Sequence, residues 1–183
     1  MADGSRVLLL AACRPGPNGR GIADPHPLAF ILLRNPVREN AKETFAYFRD
    51  QGVTIKVISG DNPVTVAAAA REAGIEGADK YVDASTLTTE AEVAAACETY
   101  NVFGRVKPNQ KKQLIQALQS KKHTVAMTGD GVNDVLALKE ADCSVAMASG
   151  SDVAAQISDL VLMNSDFSSC PLWWPRDAGH QQH

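Results

Sequence analysis

The sequence predicts an α/β protein built on a doubly wound parallel sheet. Short apolar, β-branched runs alternate with helix-period segments from residue 53 onward. The turns between them are short, about two to six residues, as in right-handed strand-helix-strand units. Two strand ends run directly into glycine-carboxylate loops, Ser59-Gly60-Asp61-Asn62 and Thr128-Gly129-Asp130-Gly131. Loops at the carboxyl ends of parallel strands are where such sheets bind ligands, so the two are expected to face one crevice.

The chain opens with an apolar strand over 6–13. Its Leu10-Ala11-Ala12-Cys13 resembles a lipoprotein cleavage site, but the opening Met-Ala-Asp-Gly-Ser-Arg has one basic side chain, offset by Asp3, and the apolar core is short for an export signal. Residues 14–21, rich in Pro, Gly and Asn, form a loop that Pro25 and Pro27 prolong. LAFILL at 28–33 is a second strand, broken by Asn35-Pro36-Val37-Arg38. Residues 39–51 bring Ala41, Thr44, Phe45 and Phe48 onto one helical face, and Gly52 ends that helix.

VTIKVIS at 53–59 is a strand. Pro63 opens a helix over 63–73 that Gly74 terminates. A short strand follows near Tyr81-Val82, then a helix over 89–99 with Thr88 or Thr89 as cap and Glu92 placed for a capping box. Residues 101–106 form a strand, and 108–120 a helix with Leu114, Ile115 and Leu118 inward. TVAM at 124–127 is a buried strand. After the loop at 128–134, Val135, Leu136 and Leu138 supply a helix face, with Asn133 or Asp134 as cap. A strand at 143–148, a helix at 152–158 and a strand at 160–163 complete the pattern.

An apolar content of 45% with 21% charged residues is that of an ordinary globular chain, which excludes disorder along its length. A net charge of −3 gives no reason to expect nucleic acid as a partner. Cys13, Cys97, Cys143 and Cys170 form no CxxC pair, which fits reduced thiols in a cytoplasmic protein. No apolar run approaches the ~18–20 residues needed to span a bilayer.

Three loops carry chemistry. Ser59 offers a hydroxyl and Gly60 an accessible amide to a phosphoryl oxygen, although a serine there also forms ST-turns or caps. Lys107, Lys111, Lys112, Lys121 and Lys122 gather mostly as a solvated helix face. Lys111 differs, because it falls near a helix N-terminus, where a cation is unfavourable unless an anion lies close or water screens it. Asp130 and Asp134 are hard oxygen ligands suited to Mg²⁺, which takes one or two carboxylates plus phosphate oxygens and water. A hydroxyl, a lysine, two aspartates and Mg²⁺ together describe a phosphoryl-transfer site.

The strings ISGDN, RVKPNQK and TGDGVNDVLALKEAD, in that order, resemble the phosphorylation domain of P-type cation-transporting ATPases of the haloacid-dehalogenase superfamily. The likeness spans residues 6–169. It implies that Ser59 and Gly60 bind phosphate, that Lys111 steadies the aspartyl phosphate, that Asp130 holds Mg²⁺, and that Asn133 and Asp134 order the site. Asp61 and Arg105 match positions that support nucleotide or phosphate. Asn35-Pro36-Val37-Arg38 matches the hinge after the nucleotide-binding domain, which brings Arg38 to the ligand side. The resemblance thus implies a remnant of the nucleotide-binding domain over 1–34, a partial phosphorylation domain over 35–169 and an aberrant or disordered tail over 170–183. It implies Mg²⁺, and ATP for the intact parent, working with the rest of a pump at the cytoplasmic face of a membrane. GDGVNDVLALKEAD followed by VAMASGSD resembles bacterial heavy-metal or calcium-type exporters.

The family's nucleophile lies in Asp-Lys-Thr-Gly-Thr, which occurs nowhere in the 183 residues. The chain is therefore expected to bind Mg²⁺ and phosphate without forming an aspartyl phosphate. The nucleophile's strand is central in this fold, between those ending at Ser59 and Thr128. Its absence implies that the strand at 6–13 or at 28–33 fills the gap, or that the sheet is split. The tail CPLWWPRDAGHQQH departs from the family's amphipathic stalk and reads as its codons out of phase, which implies a frameshifted or truncated reading frame. A stand-alone phosphatase and a non-catalytic binding module are the competing functions.

Overall fold

The computed structural model describes residues 6–16, 21–33 and 36–172, arranged as two units that divide after Pro36. The tail at 173–183 lies outside the described residues.

The first unit is an antiparallel hairpin of β1 (Arg6–Pro15) and β2 (Ile22–Leu33), with Arg6 opposite Leu33 and Leu10 opposite Ala29. The strand β2 runs through Pro25 and Pro27, which the sequence assigns to a loop. Register slips between Leu10 and Ala11 and between Ala12 and Arg14 absorb the irregularity, and a two-stranded ribbon has open edges where proline is tolerated. Such a ribbon cannot bury both faces, and Leu9, at 56% exposure, and Phe30, at 69%, remain open.

The second unit alternates α1 (Ala41–Asp50), β3 (Val57–Ile58), α2 (Pro63–Glu72), β4 (Tyr81–Asp83), α3 (Glu90–Thr99), β5 (Val102–Gly104), α4 (Pro108–Ser120), β6 (Ala126–Gly129), α5 (Val135–Glu140), β7 (Cys143–Met147), α6 (Asp152–Ile157) and β8 (Leu160–Leu162). All of its strand pairs are parallel, as the sequence predicts. They form two three-stranded sheets, ordered β3-β5-β4 and β6-β7-β8, rather than one. Of the outcomes anticipated for the missing strand, the split is the one observed. The strands β1 and β2 pair with each other, and β3 does not pair with β6.

In the first sheet the central strand β5 feeds two cores. Val102 packs with Val66, Ala67 and Ala70 of α2, while Phe103 faces Val93, Ala96 and Cys97 of α3 and Leu114 of α4. The alternation follows from the two-residue period of a strand, and each such side chain buried contributes about 1.5–3 kcal/mol. The helix α4 also joins the halves. Leu114 belongs to the first sheet's core, and Ile115 packs with Val125, Met127, Leu138 and Ala146 around the second. Elsewhere in the unit, Phe167 stacks obliquely on Phe45 and Phe48 of α1, with ring centroids 6.0 and 5.3 Å apart.

Local signals place several boundaries. The Thr89 hydroxyl accepts from the Glu92 amide at 3.2 Å, and the Glu92 carboxylate accepts from the Thr89 amide at 3.0 Å, which forms the expected capping box. Gly52 and Gly74 follow their helices with φ of +76° and +79°. Two expectations need correction. The paired part of β3 is Val57–Ile58, not 53–59, because its ladder runs to β5 alone. In α5 the buried residues are Ala137 and Leu138, and Leu136 is exposed, because the segment starts as a 3-10 turn at Val132–Asp134, which shifts the helical phase.

Asp159 ties β8 to β7, accepting from the Ser144 amide and hydroxyl, each at 2.8 Å. The amide first and then the hydroxyl hold this carboxyl below its usual range. A lowered folded-state pKa gives stability that is complete above the unfolded value and is lost as pH falls through the folded one. Asp159→Asn is expected to flatten the acid limb of melting temperature against pH, followed by circular dichroism from neutrality to about pH 3. An unchanged limb would remove Asp159 from the acid response.

Candidate phosphoryl-binding site

The first loop leaves β3 under backbone control. The Ser59 amide donates to the Phe103 carbonyl at 2.9 Å, and the Ser59 carbonyl accepts from the Val106 amide at 3.0 Å. The Ser59 hydroxyl accepts from the Asp61 amide at 3.1 Å, so the ST-turn is formed, with the hydroxyl proton still available to a ligand. Gly60 is exposed, and a Cβ there would meet nothing closer than 3.9 Å, so its place reflects an open amide rather than tight packing. Asn62 caps α2 by accepting from the Val64 amide at 2.9 Å. The Asp61 carbonyl takes the Arg105 amide at 2.7 Å, and the Arg105 guanidinium bonds Asp83 at 2.6 Å.

The second loop surrounds a buried ion pair. Lys111 Nζ lies 2.5 Å from Asp134 Oδ1, with the two side chains only 11% and 9% exposed. The anion that makes a lysine acceptable at the start of α4 is therefore a carboxylate of the chain itself. The other Asp134 oxygen accepts from the Gly131 amide at 3.2 Å. Asp134 thus stands at the start of α5 without a side-chain cap bond, and Asn133, the other expected cap, is exposed in the 3-10 turn.

Asp130 is exposed, and its backbone is pinned by a 2.7 Å bond from the Ser151 amide to its carbonyl. That approach requires glycine at 150, where a Cβ would sit 2.4 Å from the same carbonyl, and a Cβ at Gly129 would lie 2.7 Å from the Asp134 Cβ. Gly150→Ala is expected to destabilise the chain by about 2–3 kcal/mol, because the obstacle is backbone. A chemical denaturation midpoint equal to that of the unaltered chain would refute it.

Asp130 lines an open cavity of roughly 330 Å³ together with Arg38, Thr44, Ser149, Ser165 and Asp166. Arg38 Nη1 lies 3.5 Å from Asp166 Oδ1, and Asn40 donates to the other oxygen of Asp166 at 3.4 Å. Hydrogen bonds from the Ser168 amide, more than the Arg38 charge, hold the Asp166 carboxyl below its usual range. One wall thus offers a cation and another an exposed carboxylate.

The structure gathers the predicted residues into three groups: Ser59, Gly60, Asp61 and Arg105 at the ends of β3 and β5; Lys111 and Asp134 between α4 and the second loop; and Arg38 with Asp130 at the cavity. Asp83, Gln110 and Asp166 were not singled out from the sequence. A carboxylate closing a parallel strand was the available sign for Asp83. Gln110 in the first turn of α4 donates to the carbonyls of Ala84 and Leu87 at 2.8 and 3.1 Å, which ties the turn after Asp83 to the residue preceding Lys111. Asp166, far along the chain, left no comparable sign. Among the described residues no three His, Cys, Asp or Glu side chains cluster as a metal nest, and no helix is long and apolar enough to cross a membrane. Cys13, Cys97 and Cys143 are free thiols.

A βα-loop site of this composition on a parallel α/β frame agrees with the family comparison, in which the haloacid dehalogenase-like hydrolase pattern matches residues 7–142. The chain belongs to that family. Within it, three similar proteins are named as cation-transporting ATPases. The chain is 50% identical over 171 residues to a probable cation-transporting ATPase, exp7, of Streptococcus pneumoniae, covering 92% of this chain and 22% of that protein. It is 48% identical over 172 residues to the calcium-transporting ATPase CtpE of Mycobacterium tuberculosis, covering 93% and 21%. It is 36% identical over 173 residues to the magnesium-transporting ATPase, P-type 1, of Salmonella typhimurium, covering 90% and 19%. The chain therefore spans about a fifth of the length of these relatives. Among solved structures, the catalytic domain of the CPx-ATPase CopB-B matches with a TM-score of 0.59 and 22% identity over 90% of this chain and 56% of that one, a likeness of fold.

Proposed function

We propose that this chain is the phosphorylation-domain segment of a cation-transporting P-type ATPase, binding Mg²⁺ and a phosphoryl group at the ends of β3 and β6. The observation that carries the reading is the buried Lys111–Asp134 pair, whose aspartate lies on the same loop as the exposed Asp130. Removing a lysine and a carboxylate from water is costly for a mere fold device, and it is the arrangement a site needs when it must hold a cation close to transferring phosphate. Both Asp134 oxygens already have donors, Lys111 and the Gly131 amide, so Asp130 is the protein ligand open to Mg²⁺. One carboxylate completed by phosphate oxygens and water suits that ion. The metal would neutralise charge on the phosphoryl oxygens, Ser59 and Gly60 would bind them, and Asn133 would order the loop.

In the intact pump the ligand is ATP, which Asp61, Arg105 and Arg38 help to place, and the segment works at the cytoplasmic face of the membrane with the remaining domains. The hairpin at 6–33 is read as the end of a nucleotide-binding domain, whose other strands would cover its apolar faces. The named relatives differ in their ions, so no ion is assigned.

Mg²⁺ titrated with inorganic phosphate is expected to shift the Gly60 and Asp130 amide resonances, and Asp130→Ala is expected to abolish the Mg²⁺-dependent part. Radiolabelled ATP should leave no acid-stable, hydroxylamine-sensitive label on the chain alone, and p-nitrophenyl phosphate should not turn over. Turnover would instead favour a stand-alone phosphatase.

A further inference from the structure

The first loop is held from the neighbouring strand by Arg105, and Arg105 is in turn held by Asp83, a residue outside every motif singled out in the sequence. Arg105 follows β5 with φ of +52°, a left-handed conformation that a side chain with a Cβ rarely adopts. In that conformation its amide reaches the Asp61 carbonyl at 2.7 Å, and the next amide, of Val106, reaches the Ser59 carbonyl at 3.0 Å. Residues 105 and 106 thus clamp the loop from the neighbouring strand. The Arg105 side chain is anchored on Asp83, with Nη1 at 2.6 Å from Oδ2.

Asp83 closes β4 and is itself fixed. It accepts from the Ser85 amide at 3.0 Å and the Ser85 hydroxyl at 2.5 Å, and the turn beyond it is bonded by Gln110. Those serine bonds, with Arg105 after them, hold the Asp83 carboxyl below its usual range, so it stays charged opposite the guanidinium. The strand order β3-β5-β4 sets the geometry, since Asp83 on one edge strand acts through Arg105 on the central one to reach the loop on the other. Arg105 is about half exposed, and such pairs add little to global stability, so the weight of this one lies in orientation.

We propose that Asp83 is a positioning residue of the candidate site: by holding the Arg105 guanidinium it keeps Arg105 left-handed, and so presents the Gly60 amide and the Ser59 hydroxyl to a phosphoryl oxygen. The last clause rests on the phosphoryl-binding reading above, while the first stands on the ligand-free chain.

Two readouts on the 183-residue chain test it. Asp83→Asn is expected to speed hydrogen exchange of the Arg105 amide about tenfold without ligand. It should also weaken Mg²⁺-dependent binding of inorganic phosphate, followed at the Gly60 amide, about fivefold. Asp83→Glu should return both to within about twofold of the unaltered chain, because charge and reach are restored. Arg105→Gly adopts the left-handed turn without strain and needs no anchor, so it should leave the melting temperature unchanged, and the double variant should bind phosphate no more weakly than Arg105→Gly. Unchanged Arg105 exchange in Asp83→Asn overturns the proposal, as does a Glu variant that recovers neither readout, or additive losses in the double variant. No phosphate binding by the unaltered chain overturns the phosphoryl reading and the last clause with it, while the exchange result still decides whether Asp83 sets the loop.

Discussion

Lys111→Met is expected to destabilise the second unit by about 3 kcal/mol, near the lower end for breaking one side of a buried ion pair. The methionine fills the aliphatic path of the lysine, so the loss reports charge rather than a cavity. What remains is the Asp134 carboxylate, 9% exposed, with the Gly131 amide as its other donor. For a unit of this size the loss corresponds to a fall of about 6–12 °C in melting temperature. Asp134→Asn should do comparable damage from the other side, stranding the ammonium. Lys111→Met with Asp134→Leu should regain more than half of the stability, because no charge is left buried. Phosphate binding should not return in that double variant, since the cation is still missing. A thermal melt and a phosphate titration on the same four proteins therefore separate structural from functional roles. A loss below about 1 kcal/mol for Lys111→Met would mean that water reaches the pair and that its burial carries no argument about the site.

Lys111 also shows what could be read in the sequence. A cation in the first turn of a helix demanded either water or an anion, and the pattern alone left both open. The anion is Asp134, 23 residues further along the chain, and only the folded backbone brings it there. Features with local causes were legible: the Thr89–Glu92 capping box, the terminating glycines at 52 and 74, and the parallel alternation from β3 onward. Features that depend on a neighbour in space were not. The hydrophobic run at 53–59 satisfies every local rule for a strand, yet its ladder is confined to Val57–Ile58, because pairing needs a second strand as well as a propensity. Pro25 and Pro27 argue locally for a loop, yet a two-stranded ribbon with open edges takes them in. Asp83 acts through Arg105, whose left-handed turn has no signature in a sequence where glycine would have been the natural sign.

Supplying a strand to the split sheet is expected to have the largest effect on this chain. The two sheets stop at β3 and β6, each of which has one partner among the described strands, β5 and β7 respectively. They are tied through α4, where successive residues Leu114 and Ile115 enter different cores. An edge strand leaves a row of amides and carbonyls without ladder partners, and parallel strands are most stable when buried on both faces. By the resemblance to P-type ATPases, the missing element is an apolar strand ending in Asp-Lys-Thr-Gly-Thr. Co-expressing this chain with a polypeptide that carries such a strand should raise the melting temperature of the complex. A few buried aliphatic side chains at about 1.5–3 kcal/mol each roughly offset the ordering of about five residues at about 1–2 kcal/mol each, so the rise is expected from the ladder bonds that the strand restores to β3 and β6. The chemical change should be all or none. The supplied aspartate would place a nucleophile where Asp130 can share Mg²⁺ with it and Lys111 can neutralise the product, so radiolabelled ATP should leave a hydroxylamine-sensitive label. The label should vanish when that aspartate is replaced by asparagine, and also in Asp130→Ala. A complex that co-purifies and melts higher but takes no label would show that the strand completes the sheet without completing a site, and the phosphorylation-domain reading would fall with it.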